Sequence, residues 1–205
     1  ELTIKGWVRT KRDSKNVIFI NVNDGSSIHN IQAVADPTQF DSALLNKITT
    51  GAGVAISGTL AASQGSGQSI ELIAKDIIVY GTADPDKYPL QPKKHSLEFL
   101  REIAHLRPRT NTFGAILRVR HALAFAVNQF FNDRGFYYLH TPIITGSDAE
   151  GAGEMFRVST LDDKNPPLNE DGTVNYKEDF FGKATNLTVS GQLEGELGAL
   201  ALGKI

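Results

Sequence analysis

Cysteine is absent from the 205 residues, which excludes disulfides and thiolate zinc sites and leaves oxygen or imidazole as the only possible metal ligands. No apolar run approaches the roughly 20 residues that a membrane-crossing helix needs, and residues 1–15 carry no apolar stretch behind a basic head. Both absences lead to the expectation of a soluble, cytoplasmic chain with no membrane partner. Methionine occurs once, at Met155, so the first residue is no initiator and the chain is expected to be trimmed at its front. Excess charge is small too, 21 Lys and Arg against 23 Asp and Glu, but it is unevenly spread. Residues 1–84 hold 7 basic and 8 acidic groups, residues 85–148 hold 9 and 5, and residues 149–205 hold 5 and 10. Lys5, Arg9, Lys11, Arg12 and Lys15 cluster in the first of these segments. Such a cluster attracts phosphate, and it is also what an ordinary solvated strand face looks like.

What is present is 40% apolar residues, enough for a real core, arranged as short strands divided by turn residues. Strands are expected at 2–12, 16–22, 27–35, 53–63 and 68–80, separated by Asp13-Ser14, Asn23-Asp24-Gly25 and the run Ser63 to Gly67. Between the third and fourth, Phe40, Leu44 and Ile48 recur every fourth residue behind Pro37, which predicts a short helix. Three strands, a helix and two strands is the order of an OB-fold barrel. Because side chains alternate along a strand, Leu2, Ile4 and Val8 share one face while Lys5, Trp7, Arg9 and Lys11 share the other. Likewise Ile18, Ile20 and Val22 leave Phe19 opposite. An exposed ring beside arginines suits base stacking with phosphate steering. A ring packed beneath a helix or a second domain is the alternative for both Phe19 and Trp7.

Pro85, Pro89 and Pro92 mark a semi-rigid linker, followed by a short helix from Ser96 to Leu106. A longer helix is expected from Asn111 to Arg134, stopped by Gly135. Extended pieces are expected at 136–139, 141–144, 155–160, 180–182 and 184–191, with Asp162 to Asp179 as a polar surface excursion and a last helix through Leu200. On that helix Gln192 and Glu196 share a face, while Gly195 and Gly198 point to close approach of another group. The pair either lines a pocket or is plain solvated surface.

Several ordered motifs resemble one family. Gly6-Trp7-Val8-Arg9, Ile18-Phe19-Ile20, Asn23-Asp24-Gly25 and Ile31-Gln32-Ala33-Val34 resemble the anticodon-binding barrel of aspartyl-, asparaginyl- and lysyl-tRNA synthetases. Lys93 to Glu102, continuing through His105-Leu106-Arg107-Pro108-Arg109-Thr110, resembles the hinge of asparaginyl enzymes. Arg134-Gly135-Phe136 and Thr141-Pro142-Ile143 look like class II motif 1, Ser147 to Ala152 like the loop over the bound amino acid, and Leu187 to Glu196 like the segment that holds it.

The resemblance implies an α+β two-domain chain: a five-stranded OB-fold barrel over 1–84, a hinge over 85–110, and the start of a class II antiparallel-sheet catalytic domain over 111–205. It implies that Phe19 stacks on an anticodon base, that Gln32 hydrogen-bonds a base edge, and that Arg9 and Arg12 contact phosphate or base nearby. It implies that Glu150 and Gln192 bind the α-ammonium of the amino acid and that Glu196 lies near a side-chain amide. Aspartyl enzymes carry lysine where this sequence has Gly195, so asparagine is the expected substrate. Gly135, Phe136 and Pro142 would belong to a homodimer interface. Partners would be tRNA-Asn and L-asparagine, with ATP and Mg2+ in the whole enzyme. The arginines of motifs 2 and 3 and the acidic magnesium ligands have no match here, so the piece is expected to be catalytically incomplete. An aspartyl or nondiscriminating relative, and an OB-fold nucleic-acid-binding module without ligase activity, remain as alternatives.

Overall fold

A computed structural model describes every residue except Gln64, Ser66, Glu150, Ala152, Gly153 and Glu154. It divides into two compact units, Glu1–Ala122 and Leu123–Ile205. The division falls later than a boundary at residue 110 because the hinge and the first half of the long helix dock on the barrel within the first unit. There Arg118 donates to the Gly25 carbonyl at 2.6 Å and Arg9 donates to Asn111.

The first unit is built on five strands, β1 (Leu2–Ser14), β2 (Val17–Asn23), β3 (Ile31–Ala35), β4 (Gly53–Ala62) and β5 (Ile70–Gly81). They close into a barrel in the order β1, β2, β3, β5, β4, antiparallel except for the β3–β5 pair. Alternation fills the interior: Val8, Ile18, Ile20, Val22, Ile56 and Leu72 are all buried in it. Helix α1 (Ser42–Lys47) starts from Asp41, whose carboxylate accepts from the Ala43 N–H, and it sends Leu45 into the same core, as does Ile48 just after it. The strand expected from residue 27 begins only at Ile31. Residues 27–30 wrap around buried Asn23 instead, whose amide donates to the Ser27 and His29 carbonyls and to Asn30.

Strand β1 breaks its regular pairing at Arg9. Val8 pairs with Val22, but the next partner of Asn21 is Thr10, so Arg9 is an extra residue in a β-bulge. The bulge reverses the phase of the strand. Beyond it Thr10 and Arg12 lie on the outer face, where Asn21 donates to the Thr10 hydroxyl, while Lys11 turns toward α1 and donates to the Leu45 carbonyl at 2.9 Å. The expected grouping of Lys11 with Lys5, Trp7 and Arg9 is therefore corrected.

The hinge seats Tyr88 against Gly51, which has φ +93° and would place a Cβ 2.6 Å from the Tyr88 ring. Gly51→Ala combines left-handed strain with a displaced ring and is expected to lower unfolding free energy by about 2–4 kcal/mol. Urea unfolding followed by Trp7 fluorescence measures it. Helix α2 (Leu97–Glu102) is capped by the Ser96 hydroxyl and is shorter than expected, because Pro108 opens a 3-10 turn at Arg107–Arg109.

Helix α3 runs over Asn111–Asn132 and its last turns belong to the second unit. That unit holds a small antiparallel sheet of β6 (Ile144–Thr145), β8 (Thr185–Leu187) and β7 (Arg157–Val158), in that order, and helix α4 (Gln192–Leu202). The run 136–139 is not a strand. Its Tyr137 N–H meets the Lys204 carbonyl, and no ladder forms among the described residues. Residues 180–182 form a turn, and the strands expected at 155–160 and 184–191 shrink to β7 and β8.

The polar excursion is pinned at its end by Asp179, which is 5% exposed. Its carboxylate accepts from the Ser159 hydroxyl and from the Thr160 N–H and hydroxyl. These bonds, the Ser159 one foremost, hold its pKa well below the usual carboxylate range. A depressed carboxylate stabilises above its unfolded pKa and loses that contribution as pH falls through the lower folded value. Amide exchange in residues 159–181 is therefore expected to accelerate as pH drops below about 4, relative to the barrel strands. Asp179→Asn should show the acceleration already at neutral pH.

Candidate functional site

The outer face of the barrel carries the nucleic-acid candidates. Arg12 and Phe19 are directly paired across β1 and β2, with the guanidinium 4.7 Å from the ring centroid. Phe19 is half-buried and Arg12 exposed, so the ring has no helix or domain over it within the unit. Gln32 pairs with Asn21 across β2 and β3, one step diagonal from Phe19 on the same face. Its amide donates to Glu71 on β5 at 3.3 Å, and Glu71 also accepts from Ser63, which accepts in turn from Gln68. Beside them opens a cleft of about 460 Å3 lined by Asn21, His29, Asn30, Gln32, Gln68 and Ile70. A cation, a stacking ring and a run of amide and carboxylate hydrogen-bonding groups are what an unpaired base requires.

Arg9 is not among them. The bulge directs its guanidinium to the Arg109 carbonyl and to Asn111 at 3.2 Å, and burial pushes its pKa below the ordinary guanidinium value. The structure thus sets Arg9 apart from Arg12, Phe19 and Gln32, with which it was grouped. Trp7 is also on the covered part of the face, with Arg109 5.1 Å from its ring. Sequence pattern alone does not single out Glu71 and Asn21. Their only signal is strand register, since each sits at an outward position that becomes meaningful once β3 pairs in parallel with β5.

In the second unit β8 and the turn at 188–190 deliver the chain to the first turn of α4. Gly191 lies so close to Thr141 that an added Cβ would fall 2.5 Å from its hydroxyl oxygen, and Gly198 meets Leu139 in the same way. The glycines thus seat α4 on residues 139–141, in agreement with the sequence expectation for Gly198. Gln192 Nε2 donates to Glu196 Oε1 at 3.0 Å on the exposed side of the helix. Glu150 lies outside the described residues. Gly135 adopts φ +77° after α3, Phe136 packs edge-on to Phe131 beneath the Lys204 ammonium, and Pro142 is exposed. Among the described residues, no three of His, Asp and Glu gather as metal ligands, and no helix is long and apolar enough to cross a membrane.

A closed five-stranded barrel with an aromatic and cationic outer face, joined to an antiparallel sheet and glycine-seated helix, defines a class. Residues 2–80 match the OB-fold nucleic acid binding domain family, and residues 96–193 match the class II tRNA synthetases (D, K and N). Along its whole length the chain is similar to asparagine--tRNA ligases. Over all 205 residues it is 63% identical to the asparagine--tRNA ligase of Cytophaga hutchinsonii and 62% identical to that of Porphyromonas gingivalis, spanning 44% of the length of each. Its fold matches asparaginyl-tRNA synthetase from Pyrococcus horikoshii complexed with asparaginyl-adenylate, with a TM-score of 0.76 at 21% identity, over 98% of this chain and 42% of that one. The Entamoeba histolytica enzyme in complex with asparaginyl-adenylate matches with a TM-score of 0.73 at 20% identity, again over 98% and 42%.

Proposed function

We propose that the whole protein is an ATP-dependent asparagine--tRNA ligase of the cytoplasm, and that this chain supplies its anticodon reader and part of its amino-acid site. The observation that carries the reading is the outer barrel face, where Phe19, Arg12 and the Gln32–Glu71 pair offer stacking, charge and base-edge hydrogen bonds side by side. Phe19 stacks on one anticodon base, Gln32 reads the edge of another, and Arg12 steers the phosphate between them. In the amino-acid segment, Glu150 and Gln192 hold the α-ammonium of L-asparagine. The Glu196 carboxylate accepts from the side-chain NH2 and would repel an aspartate. Gly195 supports the same preference, because it leaves no cation there for a second carboxylate.

In the reaction the asparagine carboxylate attacks the α-phosphorus of ATP in line and expels pyrophosphate. A ribose hydroxyl at the tRNA 3′ end then attacks the acyl carbon and releases AMP. Positioning and electrostatics carry both steps. Mg2+ would neutralise phosphate charge in the whole enzyme, but the described residues of this chain assemble no ligand set for it. The whole enzyme is a homodimer in this reading, with Gly135, Phe136 and Pro142 at the interface. Leu123, Phe125, Val127 and Phe130 of α3, each at least half exposed, support an apolar partner surface.

Titration with anticodon hairpins at fixed salt tests the proposal. A GUU hairpin is expected to bind roughly tenfold or more tightly than a GUC hairpin, since a mismatched base edge costs about 1–3 kcal/mol. Equal affinity for both would favour a nondiscriminating relative, and no binding would remove the anticodon reading. The chain alone, spanning 44% of its relatives, is expected to give no asparagine-dependent exchange of pyrophosphate into ATP.

A further inference from the structure

We propose that the cleft between barrel and hinge in the first unit is a second anion site, built to take phosphate groups and separate from the anticodon face. The cleft has a volume of about 350 Å3, within the ordinary range for a ligand cleft. Arg9, Lys93, Lys94, His95, Thr110 and Asn111 are among the residues that line it. No aspartate or glutamate is among the residues that line it. Neither lysine makes an ion pair with another described residue.

Arg9 is the most informative member. Its side chain is partly buried, yet its hydrogen-bond partners are the neutral Arg109 carbonyl and the neutral Asn111 amide. A partly desolvated cation without a counter-charge is costly to keep, and an external anion would supply what the protein does not. Burial also draws its pKa downward, in keeping with a charge that lacks compensation. Two of its five N–H donors meet these partners, which leaves others for an incoming oxygen. Three cations along a concave surface focus their field into the cleft, and the side-chain NH2 of Asn111, whose oxygen is taken by Arg9, adds a donor. Tetrahedral phosphate oxygens fit that set of donors. They could come from a nucleic-acid backbone or from a free phosphate compound.

The chain carries its own reporter, because its single tryptophan, Trp7, lines this cleft. Trp7 fluorescence is followed while the 205-residue chain is titrated with inorganic phosphate, and separately with oligouridylate in the Phe19→Ala background, which removes base stacking on the anticodon face, at ionic strength held constant with chloride within each titration and varied between them. Saturation by phosphate that disappears in the Lys93→Ala/Lys94→Ala variant supports the site and assigns it to free phosphate. Saturation by oligouridylate alone, with a salt slope that falls by roughly 1.4 in the double variant, supports it and assigns it to the RNA backbone, at about 0.7 per phosphate contact. Absence of saturation with either probe, or a double variant that titrates like the parent, overturns the proposal. Phe19→Ala separates this site from the anticodon face, since it should weaken hairpin binding and leave the phosphate titration unchanged.

Discussion

Gly58→Ala is expected to lower the unfolding free energy of the barrel by more than about 3 kcal/mol, beyond the usual cost of overpacking by one methyl group. Gly58 sits in β4 at a register shift, paired with Leu2 on one side and Ala74 on the other. A Cβ there would fall onto the backbone carbonyl of Ile73, an atom held in the ladder rather than the free end of a side chain. Relief requires β4 to part from β5, and in a closed barrel that strains the β1–β4 seam as well. Gly67→Ala is the matched control, since nothing lies within 4 Å of its added Cβ and the expected change is within about 0.5 kcal/mol. Urea unfolding read by Trp7 fluorescence compares the two. A Gly58→Ala loss below about 1 kcal/mol would mean that the bulge can slide to make room.

Phe19→Ala is the functional counterpart. Stacking of one base on an aromatic side chain is worth about 1–3 kcal/mol, so hairpin affinity should fall roughly five- to 150-fold. Folding should change less than binding, because the ring lies on the outer face, only partly buried, and its close described partner is the exposed Arg12 guanidinium. Phe19→Tyr keeps a stacking surface and should retain most of the affinity. Arg12→Gln should instead lower the salt dependence by about one phosphate contact while leaving base preference nearly intact. Hairpin affinity that survives Phe19→Ala unchanged would place the reader elsewhere on the chain.

The barrel was legible in the sequence because its two inner faces repeat with period two, and Ile18, Ile20 and Val22 could point only one way. Phe19 followed from the same alternation, whereas Gln32 and Arg12 rested on the family resemblance, and unbroken alternation would have set Arg12 on the inner face. Arg9 and Lys11 did not follow, because a one-residue bulge leaves no mark in a segment where polar and basic residues alternate on both sides of it. Glu71 was hidden for another reason: its meeting with Gln32 depends on a parallel pairing between strands nearly forty residues apart. In the second unit the run Phe136 to Leu139 has strand composition, yet composition cannot provide a neighbouring strand, and the segment instead lies beside α4. Residues 27–30 failed to extend β3 because a single buried amide, Asn23, offers their carbonyls a competing set of bonds.

The bulge at Arg9 divides β1 into two addresses on one continuous strand. Ahead of it, outward side chains such as Trp7 answer to the hinge; behind it, Thr10 and Arg12 face incoming RNA in the proposed reading. Substitutions in the two halves are therefore subject to separate demands, one mechanical and one chemical. Closing the bulge without removing a residue would exchange them, turning Lys11 out to the solvent and Arg12 inward, whereas deletion of Arg9 would leave both facings as they are.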